Sequence, residues 1–173
     1  MINIQKQQRA RILYVTQAGL IAALYTVLTL FIGAFGLANG AIQFRISEAL
    51  CVLPFFTSAA IPGLTIGCLI SNLLTGCLWQ DVVFGTLATL IGAVGAALLR
   101  RLPWLVPLPT VLSNTLIVPY VLAYAYQFEG GVAYFMLTVG IGEVLSAYVC
   151  GMALLMAIRP YGHQIFRSKT GQL

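Results

Sequence analysis

Four ionisable residues of this chain stand in apolar surroundings where charge is expensive: Arg45, Glu48, Asp81 and Glu143. Arg45 and Glu48 lie three residues apart in residues 43–50, QFRISEAL, a spacing that puts both on one face of a helix. They read as a pair, facing a cavity or pinning a helix end at an interface. Glu143, in GIGEVLSAY, is the sharpest signal. A glutamate in the middle of an apolar helix must be protonated, paired or facing a wet cavity. The plain alternative is a bond to a neighbouring helix. Gly140 and Gly142 beside it leave room for a ligand or a helix. Asp81, in LWQDVVFGT, stands where a helix begins, so it suits either a ligand contact or a cap. Trp79 beside it is an interface anchor or a platform for a flat ring, and Phe44 is a second such platform. Asn72 and Asn114 are amides at membrane depth, suited to gluing helices together or to holding a ligand. Gln43 and Gln80 carry weaker signals, and Glu129, followed by Gly130 and Gly131, reads as a solvated turn.

The elements that must position these residues are membrane helices. The chain is 60% hydrophobic and only 8% charged, with mean hydropathy +0.96, against roughly 25% charged for a soluble domain. This reads as an all-α integral membrane protein. About 20 residues make one helical span, so six fit within a single membrane domain, residues 1–173. The hydrophobic runs place helices at about 12–32, 46–57, 60–78, 82–99, 108–127 and 132–158, between an N-terminal tail, 1–11, and a C-terminal tail, 159–173. The second is short, and Pro54 should kink or end it. No internal repeat stands out, which disfavours an inverted-repeat transporter.

Charge sets the orientation. Lys6, Arg9, Arg11, Arg100, Arg101, Arg159, Arg167 and Lys169 all fall at one side, which the positive-inside rule makes cytoplasmic, termini included. Glu48, Asp81 and Glu129 fall at the other ends. Glu143 lies roughly 18 Å along the last helix at 1.5 Å per residue. The polar chemistry therefore gathers in the outer half, as an outward-opening pocket would require. The net charge of +5 is explained by the membrane surface rather than by nucleic acid. Cys51, Cys68, Cys77 and Cys150 lack a close CxxC spacing and read as small hydrophobes. The one histidine, His163, is in the polar tail, so no metal or other cofactor is expected. There is no GxxxxGK[ST], GxSxG or HExxH, which argues against a P-loop ATPase or a membrane hydrolase. Ala18, Gly19, Ala22, Ala23 and Thr26 form a stripe of small residues on the first helix, fit for close packing within the chain or with a partner.

The segments AALYTVLTL, AIQFRISEALCVLPFF, IPGLTIGCLISNLL, DVVFGTLATLIGA and the GE of the last span together resemble the QueT family. The resemblance runs from about residue 16 to 157. It implies a six-helix substrate-binding S component of an energy-coupling-factor (ECF) transporter, in a bacterial cytoplasmic membrane. The implied ligand is a queuosine precursor, a 7-deazaguanine such as preQ1 or queuine. The implied partners are a transmembrane coupling subunit and two cytosolic ATPases. In the wider group an Ala-x-x-x-Ala pattern on the first helix meets the coupling subunit, and Ala18 and Ala22 match it. The residues suit such a ligand. A carboxylate accepts from the N–H and amino groups of a guanine-like edge, Arg, Asn or Gln donates to its carbonyl, and an aromatic side chain stacks on the ring. The expected site is thus Arg45, Glu48, Asp81, Glu143, Asn72, Asn114, Trp79 and Phe44, with no catalytic residue. Two rivals stand beside this reading: a self-sufficient secondary transporter in which Glu143 carries the coupling proton, and a membrane scaffold without a ligand.

Overall fold

The structure, a computed structural model, describes residues 2–34 and 45–166. Phe44 and Gln43 lie outside the described residues, as do most of the loop before them and Arg167 and Lys169 of the tail.

Six principal helices make up the fold, and the described residues contain no strand. The first, α1 (Ile2–Ala34), is continuous through the basic stretch expected as a tail, because its first eleven residues hold no Pro or Gly to stop it. The second, α2 (Ile46–Phe55), is a 3-10 helix that ends one residue past Pro54. The third, α3 (Ala60–Leu74), stops at Gly76, whose φ of +71° takes the chain into the left-handed turn that closes many helices. Then come α4 (Trp79–Leu98), α5 (Leu108–Tyr120) and α6 (Val132–Ile158). Pro107 and Pro109 start α5, where a missing N–H costs nothing. Pro119 then interrupts its ladder, and the helix loosens into π turns over Val121–Ala125. A second π segment, Val144–Cys150, lies inside α6, directly after Glu143.

Among the described residues four helices, α1, α4, α5 with its flanking turns, and α6, are long and apolar enough to cross a bilayer. At 1.5 Å per residue α3 reaches only about 22 Å, less than the roughly 30 Å of a hydrocarbon core. The surface is inverted relative to a soluble protein. Leu20, Leu24, Val27, Phe84, Leu87, Leu116, Leu137 and Leu145 are exposed, whereas Glu48, Asp81, Glu143, Asn72 and Asn114 are buried. Lipid is the solvent for which that arrangement is stable. The chain is therefore an all-α, multi-pass membrane protein.

The closest helix pairing involves one expected partner face. The Ala18–Ala22 stripe, expected at a coupling subunit, has a neighbour within the chain. It packs on Gly63 and Gly67 of α3, which repeat the same four-residue spacing. A Cβ placed on Gly63 would stand 2.8 Å from the Ala18 carbonyl oxygen, and one on Gly67 would stand 2.9 Å from that of Ala22. Ala22 is only 7% exposed. Small residues on both helices let the backbones touch, the usual basis of tight association in membranes. Gly19, by contrast, has open space around it. The α4–α5 seam is built the same way, with Gly92 and Gly95 against Thr110 and Pro109. These two seams bring α1, α3, α4 and α5 close enough to enclose a polar centre with α2 and α6.

Candidate functional site

Each helix around the centre offers one face to it. Asp81, Gly85 and Thr89 recur every fourth residue along α4; Asn114 and Val118 do so on α5, and Val139 and Glu143 on α6. Arg45, the residue before α2, and Glu48 in its first turn complete the lining. These nine residues line one narrow cavity of about 10 Å³, room for about a single water. Five of the eight expected site residues thus meet in one place: Arg45, Glu48, Asp81, Asn114 and Glu143.

Their partners are mostly neutral. The Tyr25 hydroxyl, from α1, donates to Glu48 Oε1 in a buried bond. Arg45 Nη1 donates to Asn72 Oδ1 at 3.4 Å. The expected Arg45–Glu48 ion pair is therefore not formed, because a phenol from α1 and an amide from α3 occupy the two groups instead. Asn72 does not line the cavity but stands behind it, fully buried, its Nδ2 donating to the Asp81 carbonyl at 3.5 Å. It both ties α3 to α4 and steadies the guanidinium. Asp81 is not the cap of α4. It sits in the first turn, where a negative charge is favoured, and Oδ2 accepts from the Tyr126 hydroxyl at 3.2 Å. That hydroxyl in turn accepts from the Leu78 N–H at 3.2 Å, which holds the chain before α4 against the end of α5. Below these, Thr29 Oγ1 donates to Ser47 Oγ at 2.8 Å and fixes α2 to α1.

Two atoms at the cavity are left over. Arg45 Nε and Glu143 Oε2 are buried and have no hydrogen-bond partner among the described residues. A buried polar atom without a partner costs about 1–3 kcal/mol, so such atoms mark places where something else is meant to bind. One is a donor and the other an acceptor. Counted by formal charge, three carboxylates face one guanidinium, so the centre carries an excess of acid.

Trp79 is not part of this centre. It is 68% exposed at the start of α4, where the next residue but one, Asp81, turns inward. That position fits an anchor at the bilayer surface better than a stacking platform. Glu129 is exposed in the turn between α5 and α6. Cys51 and Cys68 are buried free thiols, and no cluster of metal-ligating side chains occurs among the described residues. The residues that sequence reasoning missed are Tyr25, Thr89, Gly85, Val118 and Val139. A wider groove of about 560 Å³ runs along the other side of the α4–α5 pair, lined by Phe84, Leu87, Leu116, Ile117, Tyr120 and Tyr124 among others. It is large enough for a ligand but almost wholly apolar, and it lacks the charged groups of the narrow cavity.

Comparison with known proteins adds a family to this geometry. A family model described as "QueT transporter" matches residues 15–160. The curated protein "Queuosine precursor transporter QueT" of Lactococcus lactis subsp. cremoris (strain MG1363) is similar over 72 residues, with 46% identity. That stretch covers 42% of this chain and 42% of the relative, so the match spans less than half of the relative's length. No solved structure matches the chain.

Proposed function

Because the chain belongs to the QueT transporter family, we propose that it captures a queuosine precursor, a 7-deazaguanine such as preQ1 or queuine, and passes it across the membrane. The family is one of transporters, not of enzymes. The observation that carries the ligand class is the pair of unpartnered atoms, Arg45 Nε and Glu143 Oε2, at a centre with three carboxylates and one guanidinium. A guanine-like edge presents a carbonyl to the first and N–H groups to the second. The surplus acid, Glu48 and Asp81, favours a donor-rich or positively charged ligand, as the aminomethyl arm of preQ1 is. Asn114 adds an amide at the same wall. Ligand pockets are typically about 300–1,000 Å³, so the narrow cavity must widen to admit a bicyclic ring. The π segments that follow Val118 and Glu143 are the places where α5 and α6 can give, since such irregular turns recur at functional sites.

In this reading the protein is the substrate-binding S component of an ECF transporter in the bacterial cytoplasmic membrane. It works with a transmembrane coupling subunit and two cytosolic ATPases. The coupling subunit meets a face other than the Ala18–Ala22 stripe, which α3 already covers. Both termini are cytoplasmic, with the acidic centre open to the outside. In a background without native cysteines, a cysteine at position 129 should react with an impermeant maleimide from outside the cell, and one at position 101 should not. Reaction at 101 and not at 129 would reverse the orientation. Titration of the purified protein with preQ1 should give a saturable one-to-one isotherm. The protein alone, in liposomes without ATP, should not accumulate the ligand under a proton gradient. Accumulation there would favour a self-sufficient transporter with Glu143 as the proton carrier, and failure to bind any deazapurine would remove the ligand class.

A further inference from the structure

We propose that Tyr25 is a positioning residue for specificity: by holding Glu48 it keeps Arg45 free, so that Arg45 Nε and Glu143 Oε2 are left as the donor and acceptor for the amide edge of a ring. The proposal rests on the 7-deazaguanine reading above and assigns a role within that site to a residue of α1.

Glu48 follows Arg45 by three residues, and both line the cavity. A carboxylate and a guanidinium that share a cavity attract each other where water is excluded. They nonetheless hold neutral partners. Glu48 Oε1 takes the hydroxyl of Tyr25, a side chain only 1% exposed in the core between α1 and α3. Arg45 Nη1 takes the amide oxygen of Asn72. Asp81 is likewise held by a phenol, that of Tyr126. Two of the three carboxylates thus have a tyrosine donor, and of the three only Glu143 keeps a buried oxygen with no partner among the described residues. The cation keeps one N–H in the same condition. A cyclic amide supplies the complement of both, with its N–H to Glu143 Oε2 and its carbonyl to Arg45 Nε. Without the Tyr25 hydroxyl, Glu48 would lose its donor, and the nearest replacement on its own segment is Arg45. The ion pair then formed would take up the N–H that the ring carbonyl needs.

The test compares affinities for 7-deazaguanine and for its analogue with sulfur in place of the ring carbonyl oxygen. The analogue keeps the N–H but accepts hydrogen bonds poorly. The wild type should prefer the oxygen compound by about ten- to a hundredfold, the range for a hydrogen bond to a charged group. Tyr25→Phe should lower that ratio by about tenfold. The double variant Tyr25→Phe/Glu48→Gln should restore it, because an amide cannot form the competing ion pair. Glu48→Gln alone should keep the wild-type ratio, whatever it does to absolute affinity, and so tests the proposal even if Tyr25→Phe is not recovered folded. Tyr124→Phe, at a side chain 72% exposed, should leave the ratio unchanged. If Tyr25→Phe weakens both compounds alike with the ratio intact, Tyr25 is structural only and the proposal fails while the ligand class stands. Loss of the ratio in Glu48→Gln, or no restoration in the double variant, overturns it as well. If the wild type binds neither compound, the ligand reading fails and this inference falls with it.

Discussion

Glu143→Gln should weaken binding of a 7-deazaguanine by at least about tenfold and leave the protein folded. The side chain is buried at 6% exposure, and its Oε2 has no hydrogen-bond partner among the described residues. The substitution preserves shape and removes little that holds the fold together. What it changes is the sense of one hydrogen bond. The amide can present its NH2 where a carboxylate oxygen stood, so a donor faces the N–H edge of the ring. A hydrogen bond to a charged group contributes about 1.5–3 kcal/mol, and a site that meets a ligand donor with its own donor loses that and adds repulsion. Calorimetric titration measures the loss, and a thermal melt on the same sample checks the fold. Glu129→Gln is the control, since Glu129 is an exposed turn residue and should change neither. Tight binding by Glu143→Gln alongside weakened binding by Glu129→Gln would move the site away from α6.

Ala22→Trp should prevent recovery of a stable, monodisperse protein. The Ala18–Ala22 stripe is the contact between α1 and α3, with backbone against backbone at Gly63 and Gly67. Overpacking a core by a methylene or two costs about 1–3 kcal/mol. An indole at a position that is 7% exposed, beside a glycine chosen for its missing Cβ, exceeds what side-chain shifts can absorb. Separation of α1 from α3 would also pull Tyr25 from Glu48 and Thr29 from Ser47, so the ligand site would go with the fold. Gly19→Leu is the contrast, because Gly19 has open space around it and should accept a large apolar side chain in lipid. Yield, size-exclusion profile and melting temperature read the difference. A stable, ligand-binding Ala22→Trp protein would mean that the stripe faces outward after all.

The polar centre was legible in the sequence because charge and amides are rare in membrane helices. Arg45, Asp81, Asn114 and Glu143 could be picked out by type alone. Their neighbours could not, since Val118, Val139 and Gly85 are ordinary residues of apolar spans. A signal was available in the four-residue spacing that joins Asp81 to Gly85 and Thr89, and Val139 to Glu143. Tyr25 was missed because a tyrosine in a first span reads like an interfacial aromatic; only the approach of α2 to α1 gives its hydroxyl a carboxylate. The Arg45–Glu48 spacing suggested a shared face, and both line the cavity although Arg45 is the extended residue before α2; the spacing did not give the partners that α1 and α3 bring. The small-residue stripe was plain, but one helix does not say what it packs on. The matching Gly63 and Gly67 were in the sequence at the same spacing and would have pointed to an internal partner. Trp79 lies apart from the cavity for a simpler reason: on a helix its neighbour two places on faces the opposite way, so with Asp81 turned inward Trp79 turns outward.

On the proposed function, the narrow acidic cavity, and not the wide apolar groove across the α4–α5 pair, receives the ligand. Photolabelling decides this most directly. A preQ1 derivative carrying a small diazirine would be irradiated with the purified protein, digested and mapped by mass spectrometry, with excess preQ1 as competitor. Competed labels are expected on the cavity residues Arg45, Glu48, Asp81, Asn114, Val139 and Glu143. Competed labels confined to the groove side, at Phe84, Leu87, Leu116, Tyr120 and Tyr124, with none on Arg45, Glu48, Val139 or Glu143, would contradict it.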